Sequence, residues 1–92
     1  MKVLRSLRII LYDESFEWDD TKASSNLKKH RISFEAARQV FDDVDAFDKS
    51  DPDPDEERFT RVGMVNGRLV SVTYTERGER IRIISARKAA PY

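Results

Sequence analysis

Apolar and polar positions follow two different rhythms along the chain, and the change falls near its middle. The first twelve residues mix apolar side chains with Lys2, Arg5 and Arg8 without a clean period, and Asp13-Glu14-Ser15 breaks the run. Residues 1–15 therefore read as an N-terminal extension or edge strand. The domain itself is expected over 16–92, opening on a short strand at 16–18 around Phe16 and Trp18. Asp19 or Asp20 can then cap a helix, because a carboxylate accepts the unpaired N–H groups of a first turn and favours the positive end of the helix dipole. That helix is predicted over 21–30, with Ala23, Leu27 and His30 or Arg31 on one face and Lys22, Lys28 and Lys29 turned elsewhere. Ser33 offers a second N-cap, and Phe34, Ala37, Val40 and Phe41 form the apolar stripe of a second helix reaching about residue 42.

Between 42 and 57 the pattern lapses. Pro52 and Pro54 remove backbone donors and the surrounding acids repel one another, so a solvated loop with at most one short strand, 46–49, is expected there. Beyond it the period becomes two. The runs RFTRVGMV, RLVSVTYT and ERIRIISAR are separated by Asn66-Gly67 and by Glu76-Arg77-Gly78. Asn-Gly between apolar runs signals a tight hairpin, because both central residues must take a positive φ. A three-strand antiparallel meander follows, with Val70, Val72 and Tyr74 sharing a face of its middle strand. On a regular last strand Ile81, Ile83, Ser85 and Arg87 would share one face and Arg80, Arg82 and Ile84 the other, so Arg82 and Arg87 converge only if a bulge re-aims one of them. The expected class is α+β: a short N-terminal strand, two helices, then a meander with the helices packed on one face.

Composition narrows the chemistry. At 92 residues the chain fits one domain, and one Trp, three Tyr and five Phe argue for a packed core despite 37% charged residues. No cysteine means no disulfide framework, thiolate metal site or cysteine nucleophile, and the single histidine cannot make a multi-histidine zinc site. Glycines 63, 67 and 78 stand apart, so no phosphate-cradling loop is present. Asp51, Asp53 and Asp55 alternate like the first ligands of a calcium loop, but prolines intervene and no glycine turn or distal glutamate completes the pattern. No metal and no cofactor are expected. The apolar run at 9–12 is far shorter than the roughly 20 residues that span a bilayer, and no cleavage site follows it, so a cytoplasmic protein without membrane contact is expected.

The formal net charge of zero hides a strong segregation. Residues 42–57 hold nine acids and one lysine, whereas 58–92 hold eight bases and two acids. Seven arginines, at 58, 61, 68, 77, 80, 82 and 87, crowd the small meander. Arginine forks onto phosphate oxygens and never loses its charge, which suits an RNA backbone or a developing phosphorane dianion. Pairing of these arginines with the acidic stretch is the plainer alternative. His30 could shuttle a proton, or simply favour the dipole at a helix end. Glu57 could act as a base toward a 2′-hydroxyl, or form a surface pair with Arg58. Tyr74 could stack on a base, although its place in line with Val70 and Val72 favours the core.

Three strings, FEWDDTKASSNLKKHRISFEAA, EERFTRVG and VTYTERGERIRIISARKA, resemble the BrnT family of ribonuclease toxins from bacterial type II toxin–antitoxin systems, over residues 16–89. The resemblance implies a RelE-like fold and a small endoribonuclease that cuts RNA without metal and arrests growth. It implies neutralisation by a BrnA-like antitoxin, in a complex of two toxins with two antitoxins that meets operator DNA only through the antitoxin. The family pattern falls on Lys22, Lys29 and His30 in the front, on Glu57 and Arg58 before the meander, and on Arg77, Arg82, Ser85 and Arg87 at the end. In this reading Arg82, Arg87 and Arg77 clamp the phosphate with help from Arg58, Glu57 or His30 takes the proton, and Lys22, Lys29, Arg80 and Ser85 contact RNA. The family usually continues into a basic helix after its last motif; here Pro91 discourages one. The competing reading is a non-catalytic module that binds nucleic acid or antitoxin through the same arginines.

Overall fold

The computed structural model describes residues 8–89; the start of the N-terminal extension, 1–7, and the tail 90–92 with Pro91 lie outside the described residues. Six strands form one mixed sheet in the order β1-β2-β6-β5-β4-β3. They are β1 (Ile9–Leu11), β2 (Phe16–Asp19), β3 (Phe47–Asp51), β4 (Arg58–Val65), β5 (Arg68–Arg77) and β6 (Arg80–Lys88). The meander of β4, β5 and β6 is antiparallel throughout, and its first turn takes φ of 51° at Asn66 and 79° at Gly67, as the Asn-Gly pair predicts. The sheet extends beyond the meander on both sides. The edge strand β3 pairs with β4, and β2 lies parallel to β6 and antiparallel to β1.

Two helices connect β2 to β3. In α1 (Asp20–His30) the Asp19 carboxylate accepts the Lys22 N–H at 3.0 Å, and Lys28, Lys29 and His30 occupy the last turn, where cations suit the dipole. Arg31 ends it in the left-handed region at φ 62°. The Ser33 hydroxyl caps α2 (Phe34–Ala37) by accepting the Ala36 N–H at 3.1 Å. The second helix departs from the predicted form. Only its first turn is α-helical, and Arg38–Asp42 winds as a 3-10 segment, the tighter form common at helix ends, which turns Val40 fully into the core.

Both helices cover one face of the sheet. Trp18, Phe34, Ala37, Val40, Val65, Val70, Val72, Ile83 and Ala86 form the core between them. Tyr12 stacks on Trp18 with ring centroids 4.9 Å apart, so the segment before β2 packs against the domain. At Gly63 an added Cβ would lie 2.7 Å from the Ala46 Cβ and 2.9 Å from a Val40 methyl. Only glycine there lets the chain after the 3-10 segment lie this close to β4.

The apolar face predicted for α1 is weak, since Leu27 is 48% exposed. Asn26 anchors the helix instead. Beyond Ile83, β6 has no strand on its β2 side, and the buried Asn26 amide takes the strand's place. Its Nδ2 donates to the carbonyls of Ala86 at 2.9 Å and Ile32 at 3.1 Å, and its Oδ1 accepts the Ala86 N–H at 3.1 Å. Buried backbone groups must be paired, and here one side chain does what a neighbouring strand would do.

Candidate functional site

The regular alternation expected for the last strand is broken at one residue. Thr73 lies opposite Ser85 and Tyr74 opposite Ile83, leaving Ile84 as the extra residue of a β-bulge. The parity of the strand flips across it. Ser85 and Arg87 therefore share a face with Arg82, while Ala86 joins Ile83 in the core; the faces expected from a regular strand are corrected accordingly. By the same register Arg77 and Arg80, paired across the β5–β6 turn, and Arg58 on β4 also lie on this helix-free face, with Ser71, Thr73, Thr75 and Thr60 between them. Six of the predicted site residues are thus brought onto one surface.

Their electrostatic settings differ. Glu56 bridges two arginines, accepting from Arg58 at 2.8 Å and from Arg77 at 2.9 Å, and Arg58 also meets Asp53 at 3.3 Å. The hydrogen bond from Arg58 holds the Glu56 carboxyl below its ordinary range and raises Arg58 in return. The acidic stretch thus neutralises part of the arginine cluster, as the plainer alternative expected. Arg80 donates to the Asp13 carbonyl at 2.9 Å. Arg82 donates to Glu17 at 2.7 Å, whereas Arg87 is exposed and has no ion-pair partner among the described residues. Glu57 is exposed too, and it borders a cleft of about 210 Å³ with Phe59, Thr75 and Arg77. Its carbonyl accepts the Thr75 hydroxyl at 2.6 Å.

Lys22, Lys29 and His30 lie on a helix rather than on these strands. They ride on α1 four residues before, and three and four after, Asn26, whose side chain bonds the open edge of β6 at Ala86. Arg61 faces the helices. It grips Asp48 through two bonds of 2.8 and 2.7 Å and stacks 4.5 Å above the Phe41 ring. Tyr74 donates to Asp48 at 3.0 Å and is 5% exposed, so it belongs to the core. Burial, followed by the hydrogen bond to Asp48, raises its hydroxyl pKa, and Arg61 lowers that of Asp48.

Reading along the sequence passed over Glu17. Alternation in Phe-Glu-Trp does place it opposite the two aromatics, but a charged residue there reads as solvent-facing, and only the neighbouring β6 shows that it is buried. No group of three or more histidine, aspartate and glutamate side chains among the described residues is arranged to hold a metal ion.

This is a small α+β domain that keeps one sheet face clear of helices and lines it with arginines and hydroxyls. The family model for "Ribonuclease toxin, BrnT, of type II toxin-antitoxin system" matches residues 18–92. The chain belongs to the BrnT family and is the toxin component of a type II system, with ribonuclease activity and an antitoxin partner as the family's properties. No curated protein matches it. No helix of the described residues is long and apolar enough to cross a membrane.

Proposed function

We propose that this chain is a metal-independent endoribonuclease that arrests growth from the cytoplasm and is neutralised by a BrnA-like antitoxin, two copies of each forming the complex. The RelE-like reading of the fold and the domain limits 16–92 belong to the same proposal. The observation that carries it is the bulge at Ile84, which aligns Arg82, Ser85 and Arg87 on the helix-free face. Cleavage without metal requires the 2′-oxygen deprotonated, the phosphorane charge held and the 5′-oxygen protonated. Arg82 and Arg87 are suited to hold the charge, with Ser85 between them as a hydrogen-bonding group. Arg77, Arg58 and Arg80 extend the cationic track toward the β5–β6 turn, where Glu57 is the proton acceptor at the cleft. His30, on the helix that borders the β6 edge, is the alternative proton acceptor, and Lys22 and Lys29 on the same helix are RNA contacts.

The test is purified protein with a defined RNA oligonucleotide in excess chelator. Full activity there, lost in Arg87→Ala, supports the reading; activity that vanishes with EDTA and returns with magnesium overturns its metal-free step. A second reading, a non-catalytic binder, is favoured by the Glu56 bridge, which with Asp53 ties Arg58 and Arg77 into ion pairs. It would show as RNA bound by arginine-dependent contacts but left intact.

A further inference from the structure

Glu17 is the buried carboxylate of the helix-free face, 6% exposed, whereas Glu57 is open to solvent. It lies directly beside Arg82 across the parallel pairing of β2 and β6. Its Oε2 accepts from Nε of Arg82 at 2.7 Å and also pairs with Nη2 of the same guanidinium. Both contacts use the Nε edge of the fork. Nη1 has no protein partner among the described residues, and the Arg82 side chain is 26% exposed.

For stability alone this pair is a poor choice, because a buried ion pair is commonly matched or bettered by well-packed apolar side chains of similar volume. What it supplies is direction. A free arginine samples many rotamers, whereas one held by its Nε edge presents its end edge along a single line. Arg58 pairs with Glu56 and Asp53 and Arg77 with Glu56, acids more open to solvent than Glu17, and Arg87 has no acid among the described residues. Arg82 is thus the arginine of this face whose donors are pre-oriented by a buried group, and pre-orientation is what makes a donor effective toward a charge that develops only in the transition state.

We infer that Glu17 is a positioning residue, which holds Arg82 so that its end edge addresses the phosphate being cleaved. The inference rests on the ribonuclease reading of this face. Glu17→Gln tests it, since the amide keeps an oxygen for Arg82 but loses the charge, and leaves no unpaired carboxylate buried. The expected result is a loss in kcat of about 10- to 100-fold with KM little changed. The melting midpoint and the binding of an uncleavable 2′-O-methyl RNA should stay near those of the parent. In nitrogen NMR spectra the Arg82 Nε–H signal, protected in the parent, should broaden or exchange faster. In an Arg82→Lys background, where the fork is already gone, Glu17→Gln should cost no further rate.

A Glu17→Gln protein that cleaves at the parent's rate while Arg87→Ala is inactive overturns this inference and leaves the ribonuclease reading standing. Loss of rate together with unfolding, with the Arg82 signal unchanged in whatever fold remains, also overturns it. A parent protein that leaves RNA intact overturns both.

Discussion

Replacing Asn26 by alanine should destabilise the domain more than its surface-like sequence context suggests. The substitution strips partners from three backbone groups at once: the N–H and the carbonyl of Ala86, and the carbonyl of Ile32. A buried polar group left unsatisfied costs about 1–3 kcal/mol. The Ile32 carbonyl is only partly buried and water can reach it, so the Ala86 pair dominates and a total of roughly 2–5 kcal/mol is expected. Against a total stability of about 5–15 kcal/mol for a domain, that is a large share. In a domain of this size each kcal/mol moves the midpoint by about 4–8 °C, so a fall of roughly 10–30 °C should be seen. Urea unfolding would give the free energy, and hydrogen exchange at the Ala86 amide would locate the loss. Asn26→Asp is the sharper variant, because it keeps the acceptor for the Ala86 N–H but turns an oxygen toward the two carbonyls. If Asn26→Ala cost less than about 0.5 kcal/mol, typical of a surface change, with the Ala86 amide still protected, the strand-surrogate role would be refuted.

At Arg87, alanine should remove RNA cleavage with little change in melting, because the side chain is exposed, whereas Arg82→Ala would strand the buried Glu17 carboxylate and cost about 3–5 kcal/mol of stability as well. Lysine at Arg87 keeps the charge but loses the planar fork; a variant as active as the parent would demote Arg87 to a general electrostatic contact. Gly63→Ala should destabilise by about 1–3 kcal/mol, since Ala46 and Val40 stand where the new methyl must go, and a neutral effect in urea unfolding would contradict that packing. Asp48 and Glu56 both titrate below their ordinary range, through Arg61 and Arg58 respectively. Their stabilisation is therefore complete above the unfolded-state pKa and lost as pH falls through the lowered folded values. The melting midpoint should be level from about pH 7 to pH 5 and drop below about pH 4, with a smaller drop in Glu56→Gln.

What the sequence determined by itself is everything carried by neighbouring residues. Asp19 and Ser33 cap their helices as predicted, because a capping side chain meets an N–H only three residues on. Asn66-Gly67 makes the hairpin, because the turn demands a positive φ that these two residues tolerate. Val70, Val72 and Tyr74 share the core face, because the strand period is two. The face of Arg87 could not be read in this way. One unpaired residue at Ile84 reverses every later position, and whether a bulge forms depends on how β6 pairs with β5. Glu17 and Asn26 escaped for a related reason. Each looks like an ordinary polar position locally, and each is buried by a partner some sixty residues away: Arg82, at a separation of 65, and Ala86, at a separation of 60. Local signals settle which elements form, but burial and side-chain direction at the site are properties of strand neighbours that only the folded chain brings together.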